Sequence, residues 1–220
     1  MLGNRLILDV KKQQIEANLA SLFAQVKQAI GGAMNCLLGA SALDCQALIN
    51  ADAGVNEKRR LIEQDCLVAI ASQQPVAHDL RDLVADMRVA GELERMGDYA
   101  RDIARDSLSL MGLAKDDRGL ADIQDMARLC TDMLDQVAQS HRNGDATLAR
   151  RVAARNTELH ASRKALVDST LTRMRENPDL VDSGTHILWI THSLERYGDR
   201  VTNIAEQVVF RVEGETAELG

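Results

Sequence analysis

Two short acidic runs carry the chemistry this sequence can offer. Glu94, Asp98 and Asp102 stand four residues apart, and so do Glu195, Asp199 and Asn203. On a helix that spacing stacks the side chains along one face. Like charges four apart repel by roughly 0.2–0.5 kcal/mol, so helix stability alone does not ask for them. Stacked carboxylates are what a hard or borderline cation needs. Both runs sit in the same hexapeptide pattern, Leu93-Glu94-Arg95-Met96-Gly97-Asp98 and Leu194-Glu195-Arg196-Tyr197-Gly198-Asp199. Upstream, Asp52 and Asn56 correspond to Asn156 and His160, beside matched apolar stripes at Leu48, Val55, Ile62 and Val152, Leu159, Leu166. Each copy can therefore present oxygen or nitrogen ligands from two neighbouring helices in an outer groove.

The first groove would offer four carboxylates (Asp52, Glu94, Asp98, Asp102) with Asn56 as a neutral neighbour. The second would offer two, Glu195 and Asp199, with Asn156, His160 and Asn203. Charge and ligand number make the first the tighter site for a hard ion, while His160 tilts the second toward zinc, iron or nickel. His192, one turn before Glu195, is a further candidate. Two plainer explanations compete. An acidic stripe opposite an apolar seam is often only a solvated face, and the acids could form inter-helix ion pairs with Arg95, Arg196 or Arg200. Gly97 and Gly198 each cost about 1 kcal/mol relative to Ala inside a helix. Close helix packing or room for an ion would explain them.

The elements that must position these residues are helices. In the second copy the apolar residues run Ile187, Ile190, Leu194, Tyr197, Val201, Ile204, Val208, in alternating steps of three and four. This is a coiled-coil seam, and Val89, Leu93, Met96, Ala100, Ile103 repeat it. Pro75 and Pro178 precede the two motif helices and read as helix starts. Turn-forming stretches leave six helices, roughly 5–38, 45–72, 76–111, 120–141, 145–176 and 179–213. The fold class is all-α: two tandem three-helix bundles with spectrin-repeat-like helices, related by an internal pseudo-repeat, over residues 1–113 and 114–220.

Composition agrees. The 220 residues include only 2 prolines and few aromatics (Phe23, Tyr99, Trp189, Tyr197, Phe210), which argues against a sandwich or barrel. A net charge of −7 speaks against coating nucleic acid. No stretch is long and apolar enough to cross a bilayer, and Leu6-Ile7-Leu8 runs straight into Asp9, unlike a signal peptide. Cys36, Cys45, Cys66 and Cys130 have no metal-finger spacing and read as reduced packing residues of a cytosolic protein. His78, His141 and His186 lie near helix ends and read as solvated or capping. No histidine has a glutamate three residues earlier, which counts against a ferritin-like di-iron oxidase.

At these residues the sequence resembles the PhoU family, cytoplasmic regulators of phosphate uptake and phosphate signalling. The resemblance rests on Asp79-Leu80-Arg81 ahead of the first hexapeptide, on Leu194 through Glu206, and on the closing Val208 through Glu215. It implies two similar three-helix bundles, each with an E(D)xxxD signature, through which some members bind iron or zinc. Glu94–Asp98 and Glu195–Asp199 match that signature in full. Asp52–Asn56 keeps one acid of the facing pair, and Asn156–His160 keeps none. The resemblance implies no catalysis. It implies a negative regulator that couples a phosphate ABC transporter, through its ATPase subunit, to a sensor histidine kinase. The protein would be cytoplasmic, homodimeric, and only peripherally associated with membrane complexes. The competing readings are a carboxylate-bridged metalloenzyme and a metal-free helical scaffold.

Overall fold

The computed structural model describes residues 2–220, with side chains described from Leu6 onward. Among these residues the chain is helical and contains no strand. The helices are α1 (Leu2–Leu37), α2 (Ala42–Gln73), α3 (His78–Ser109), α4 (Asp117–Asn143), α5 (Ala146–Ala154), α6 (Asn156–Glu176) and α7 (Val181–Glu213), with a 3-10 turn at Pro178–Leu180.

Local chemistry sets the ends. Ser41, Asp116 and Asp145 cap α2, α4 and α5 by accepting from the backbone N–H of Asp44, Gly119 and Leu148. Gly144 and Gly214 end α4 and α7 in the left-handed conformation that glycine adopts without strain. Pro178 opens the 3-10 turn ahead of α7. Pro75 departs from expectation. It lies before α3 in a link where Gln74 and Ala77 both have positive φ, so α3 begins only at His78.

The expected fifth helix is two helices. At Arg155 the N–H bonds to Val152 O at 3.0 Å, three residues back, and the α-helical ladder breaks for one residue. The apolar register survives the break, because Val152, Leu159 and Leu166 are all buried. The corresponding stretch of α2 is unbroken.

Helices α1, α2 and α3 pack on one another, and so do α4 to α7. The two seams read from the sequence are buried along their whole length. Beyond these, α3 and α7 pack extensively against each other and α1 touches α4, so one continuous core runs through the molecule. Each motif helix therefore carries two buried faces, and the polar face left over is narrow.

The cysteines divide. Cys66 and Cys130 are buried free thiols. Cys36 and Cys45 instead form a disulfide, which corrects the expectation of four reduced residues. The short turn between α1 and α2 brings their ends together, with Cα atoms 5.6 Å apart.

Candidate functional site: two acidic grooves

The first groove lies between α2 and α3. Asp52 and Asn56 come from α2, one turn apart, and the Asn56 amide donates to Asp52 Oδ2 at 3.3 Å. Glu94, Asp98 and Asp102 come from α3. The groove is not an open outer face: the Asp52 side chain is only 10% exposed, and the others are partly covered by the neighbouring helix. Two arginines lie among the acids. Arg101 Nη1 stands 2.6 Å from both Asp52 Oδ2 and Asp98 Oδ1, and Nη2 is 3.5 Å from Asp102. Burial pulls the Arg101 pKa down, but the hydrogen bond to Asp52 and the charges of Asp98, Asp52 and Asp102 outweigh it and raise it. Arg59 pairs with Glu63 at 2.5 Å and approaches Glu94 at 3.8 Å.

The second groove lies between α6 and α7. The break at Arg155 places Asn156 at the start of α6, where its amide donates to Asp199 Oδ1 at 3.2 Å. His160 bridges the acids, with Nδ1 3.1 Å from Glu195 and Nε2 3.7 Å from Asp199. Arg163 meets Glu195 at 2.8 Å and His192 stands 3.7 Å from it. Glu195 is thus 14% exposed rather than fully outward-facing. Asn203 belongs only to the rim of this groove. Its amide donates to Glu92 on α3 at 3.1 Å, beside Arg200, because this part of α7 faces the other bundle.

The two glycines permit these close approaches. A Cβ on Gly97 would stand 3.1 Å from Val55 Cγ1, and one on Gly198 would overlap the Leu159 Cδ2 methyl. Close packing is what demands glycine there, and it sets the distance between the facing polar residues.

The first groove as arranged does not suit a metal ion, since Arg101 already lies between the oxygens an ion would need. In the second groove His160, not an arginine, spans the two acids. Asn156 Oδ1 is buried without a hydrogen-bond partner, near His160 and Asp199. Yet among the described residues no three His, Cys, Asp or Glu side chains converge closely enough to hold an ion.

Of the arginines expected to pair between helices, Arg200 does so, though with Glu92 rather than with an acid of the motif. No ion pair is formed by Arg95 among the described residues; Arg196 reaches Asp199 on its own helix at 3.3 Å, and Arg200 reaches Glu92. The arginines that cross the grooves are Arg59, Arg101 and Arg163. A signal existed for two of them, because Arg59 and Arg163 occupy matched positions in the same repeat alignment as Asn56 and His160.

A further ionic cluster ties the two halves together. His141 at the end of α4 is buried rather than solvated, and its Nε2 lies 3.0 Å from Asp86 on α3. Arg211 of α7 lies 3.7 Å from both Asp82 and Asp86, and Lys12 of α1 holds Asp79 at 2.8 Å and Asp82 at 2.6 Å. Asp82 and Asp86 continue the three-four spacing of the α3 seam toward its start. Charged residues in phase with an apolar seam were the legible sign of buried pairing. Of the other histidines, His78 is exposed, and His186 lies 3.1 Å from Asp106 and edge-on to the exposed Trp189.

The repeat that builds these grooves is also what known proteins share with this chain. The PhoU domain family model matches residues 19–107 and 123–208, one match in each half. A phosphate-specific transport system accessory protein PhoU homolog from Caulobacter vibrioides is 31% identical, covering 90% of this chain and 89% of its own. The homolog so named from Pseudomonas aeruginosa is 28% identical over 92% of this chain and 84% of its own. The crystal structure of PhoU from Pseudomonas aeruginosa superposes with a TM-score of 0.89 at 27% identity, covering 94% of this chain and 99% of that one. That of the phosphate transport system regulatory protein PhoU from Streptococcus pneumoniae gives 0.88 at 26% identity, over 96% and 100%. With both halves matched in sequence and the whole architecture matched in space, the chain belongs to the PhoU family.

Proposed function

We propose that this chain is a cytoplasmic negative regulator of phosphate uptake and of the phosphate-starvation response. In this reading it acts as an adaptor between the ATPase subunit of a phosphate ABC transporter and the cytoplasmic part of a sensor histidine kinase, as a homodimer, without catalysing a reaction. The observation that carries it is the pair of PhoU matches, one in each half, together with relatives named as accessory proteins of phosphate-specific transport. Peripheral association with a membrane complex accords with a chain in which no described helix is long and apolar enough to cross a membrane.

A metal-free scaffold is favoured at the first groove by the 2.6 Å contacts of Arg101. Iron or zinc enters this reading only at the second groove, where His160, Glu195, Asp199 and Asn156 would have to draw together to supply nitrogen and oxygen ligands, since as arranged they do not converge on one ion. Deleting the gene tests the regulatory role: phosphate uptake and starvation-gene expression should rise in phosphate-replete cells. Unchanged uptake and expression would overturn it. Metal analysis of tag-free wild type and His160→Ala separates the metal-bound and metal-free forms.

A further inference from the structure

We propose that Arg101 is the resident cation of the first groove, holding Asp52, Asp98 and Asp102 together and keeping multivalent metal ions out of it. One guanidinium reaches three carboxylates from two helices, at 2.6, 2.6 and 3.5 Å. It performs the bridging that a metal would perform, with a charge-assisted hydrogen bond to Asp52 and ion pairs to Asp98 and Asp102 in place of coordination. The group is planar and charged at every physiological pH, so it does not vacate the groove by losing a proton. An ion entering between Asp52 and Asp98 would have to displace that hydrogen bond and ion pair. It would also place its charge beside the guanidinium in a partly buried, low-dielectric setting. Arg59 adds a second positive charge near Glu94. Four carboxylates thus face two fixed cations, so a count of acids overstates what the first groove offers an ion, and the place between Asp52 and Asp98 is already taken.

The second copy lacks this device. At the position matching Arg101 stands Thr202, which is 3% exposed, with its hydroxyl oxygen unpartnered at the edge of a cavity of about 250 Å³. There Asp199 is held by a neutral amide and by Arg196, whose side chain is about half exposed. A single residue difference between the repeats therefore separates a groove whose acids share one guanidinium from one whose two acids meet separate arginines, Arg163 and Arg196.

The test uses tag-free, metal-stripped protein and Mn2+, a hard ion suited to carboxylates, titrated by calorimetry. In the wild-type background, Glu94→Gln with Asp98→Asn should leave Mn2+ stoichiometry unchanged and affinity within about two-fold. Arg101→Thr, which installs the second copy's residue, should gain one Mn2+ site that Asp98→Asn then removes. Mn2+ should raise the thermal midpoint of Arg101→Thr through that site. Arg101→Lys keeps a positive charge and should gain none. Loss of a Mn2+ site from the wild type on the Glu94/Asp98 substitution would overturn the proposal, and so would a folded Arg101→Thr that gains no site. The wild-type comparison decides even if Arg101→Thr does not fold.

Discussion

Alanine substitution at four helical glycines separates intrinsic helix preference from the close approach that shapes the grooves. Gly54 in α2 and Gly91 in α3 have nothing within 4 Å of an added Cβ. Replacing glycine by alanine in an open helix interior gains about 1 kcal/mol, so both variants should be more stable than wild type by that amount. At Gly97 the new methyl would stand 3.1 Å from Val55 Cγ1 and 3.6 Å from Asp52 Oδ1. A shift of a few tenths of an ångström uses up most of the helix gain, leaving Gly97→Ala within about 0.5 kcal/mol of wild type. At Gly198 the methyl would overlap Leu159 Cδ2 and lie 3.3 Å from Asn156 Oδ1. Leu159 is fully buried, so α6 must move away from α7. Overpacking of this kind costs about 1–3 kcal/mol, and after the helix gain of about 1 kcal/mol Gly198→Ala should be destabilised by up to about 2 kcal/mol, well below Gly54→Ala. Urea unfolding followed by far-UV circular dichroism reads these differences, with unchanged m-values expected. In thermal unfolding each 1 kcal/mol corresponds to about 2–4 °C for a chain of this size. If Gly198→Ala is as stable as Gly54→Ala, the close approach of α6 to α7 is wrong.

Three further outcomes follow from the packing. Leu194→Ala should cost about 2–5 kcal/mol, because the side chain is fully buried. Glu195→Ala should cost about 1 kcal/mol or less, since its partners Arg163 and His160 are well exposed; equal losses in the same denaturation experiment would contradict the seam. Burial pushes the Cys66 and Cys130 thiols up to about 12, so iodoacetamide at mildly alkaline pH should label neither in the folded protein and both in urea, as read by mass spectrometry. For Lys12, burial lowers the pKa but the bonds to Asp79 and Asp82 outweigh it, leaving it above the ordinary 10.5. A cation whose folded pKa is raised contributes its full stability below the unfolded value and loses it as pH climbs through the folded one. The stability gap between wild type and Lys12→Met should therefore hold steady from neutral pH to about 10.5 and close only above it, in denaturation measured across alkaline buffers.

The architecture was legible because helical bundles are written in local periodicity. The three-four spacing from Ile187 to Val208 fixes which face of α7 is buried whatever it packs against. The recurrence of the hexapeptide and of both prolines marks the tandem repeat. The grooves were legible in part. Matching the repeats brought Asp52 and Asn56 beside Glu94 and Asp98, and Asn156 and His160 beside Glu195 and Asp199. Treating each motif helix as having a single buried face was the error that made the acids look outward. The packing of α3 on α7 gives each a second buried face, narrows the polar one, and turns Asn203 toward Glu92.

By itself the sequence determined the helices, their apolar seams, the duplication and the pairing of acidic positions, because each follows from residue type and spacing along one chain. The packing of the helices set which cation meets which carboxylate. Long arginine side chains reach across helix boundaries, so Arg59, Arg101 and Arg163 find partners on a neighbouring helix that no spacing within their own helix reveals. It also decided that His141 is buried against Asp86 and that Cys36 meets Cys45. Both depend on where separate helix ends come to rest. The charge that a groove presents is the sum over all the helices lining it, and that sum exists only once the helices are packed.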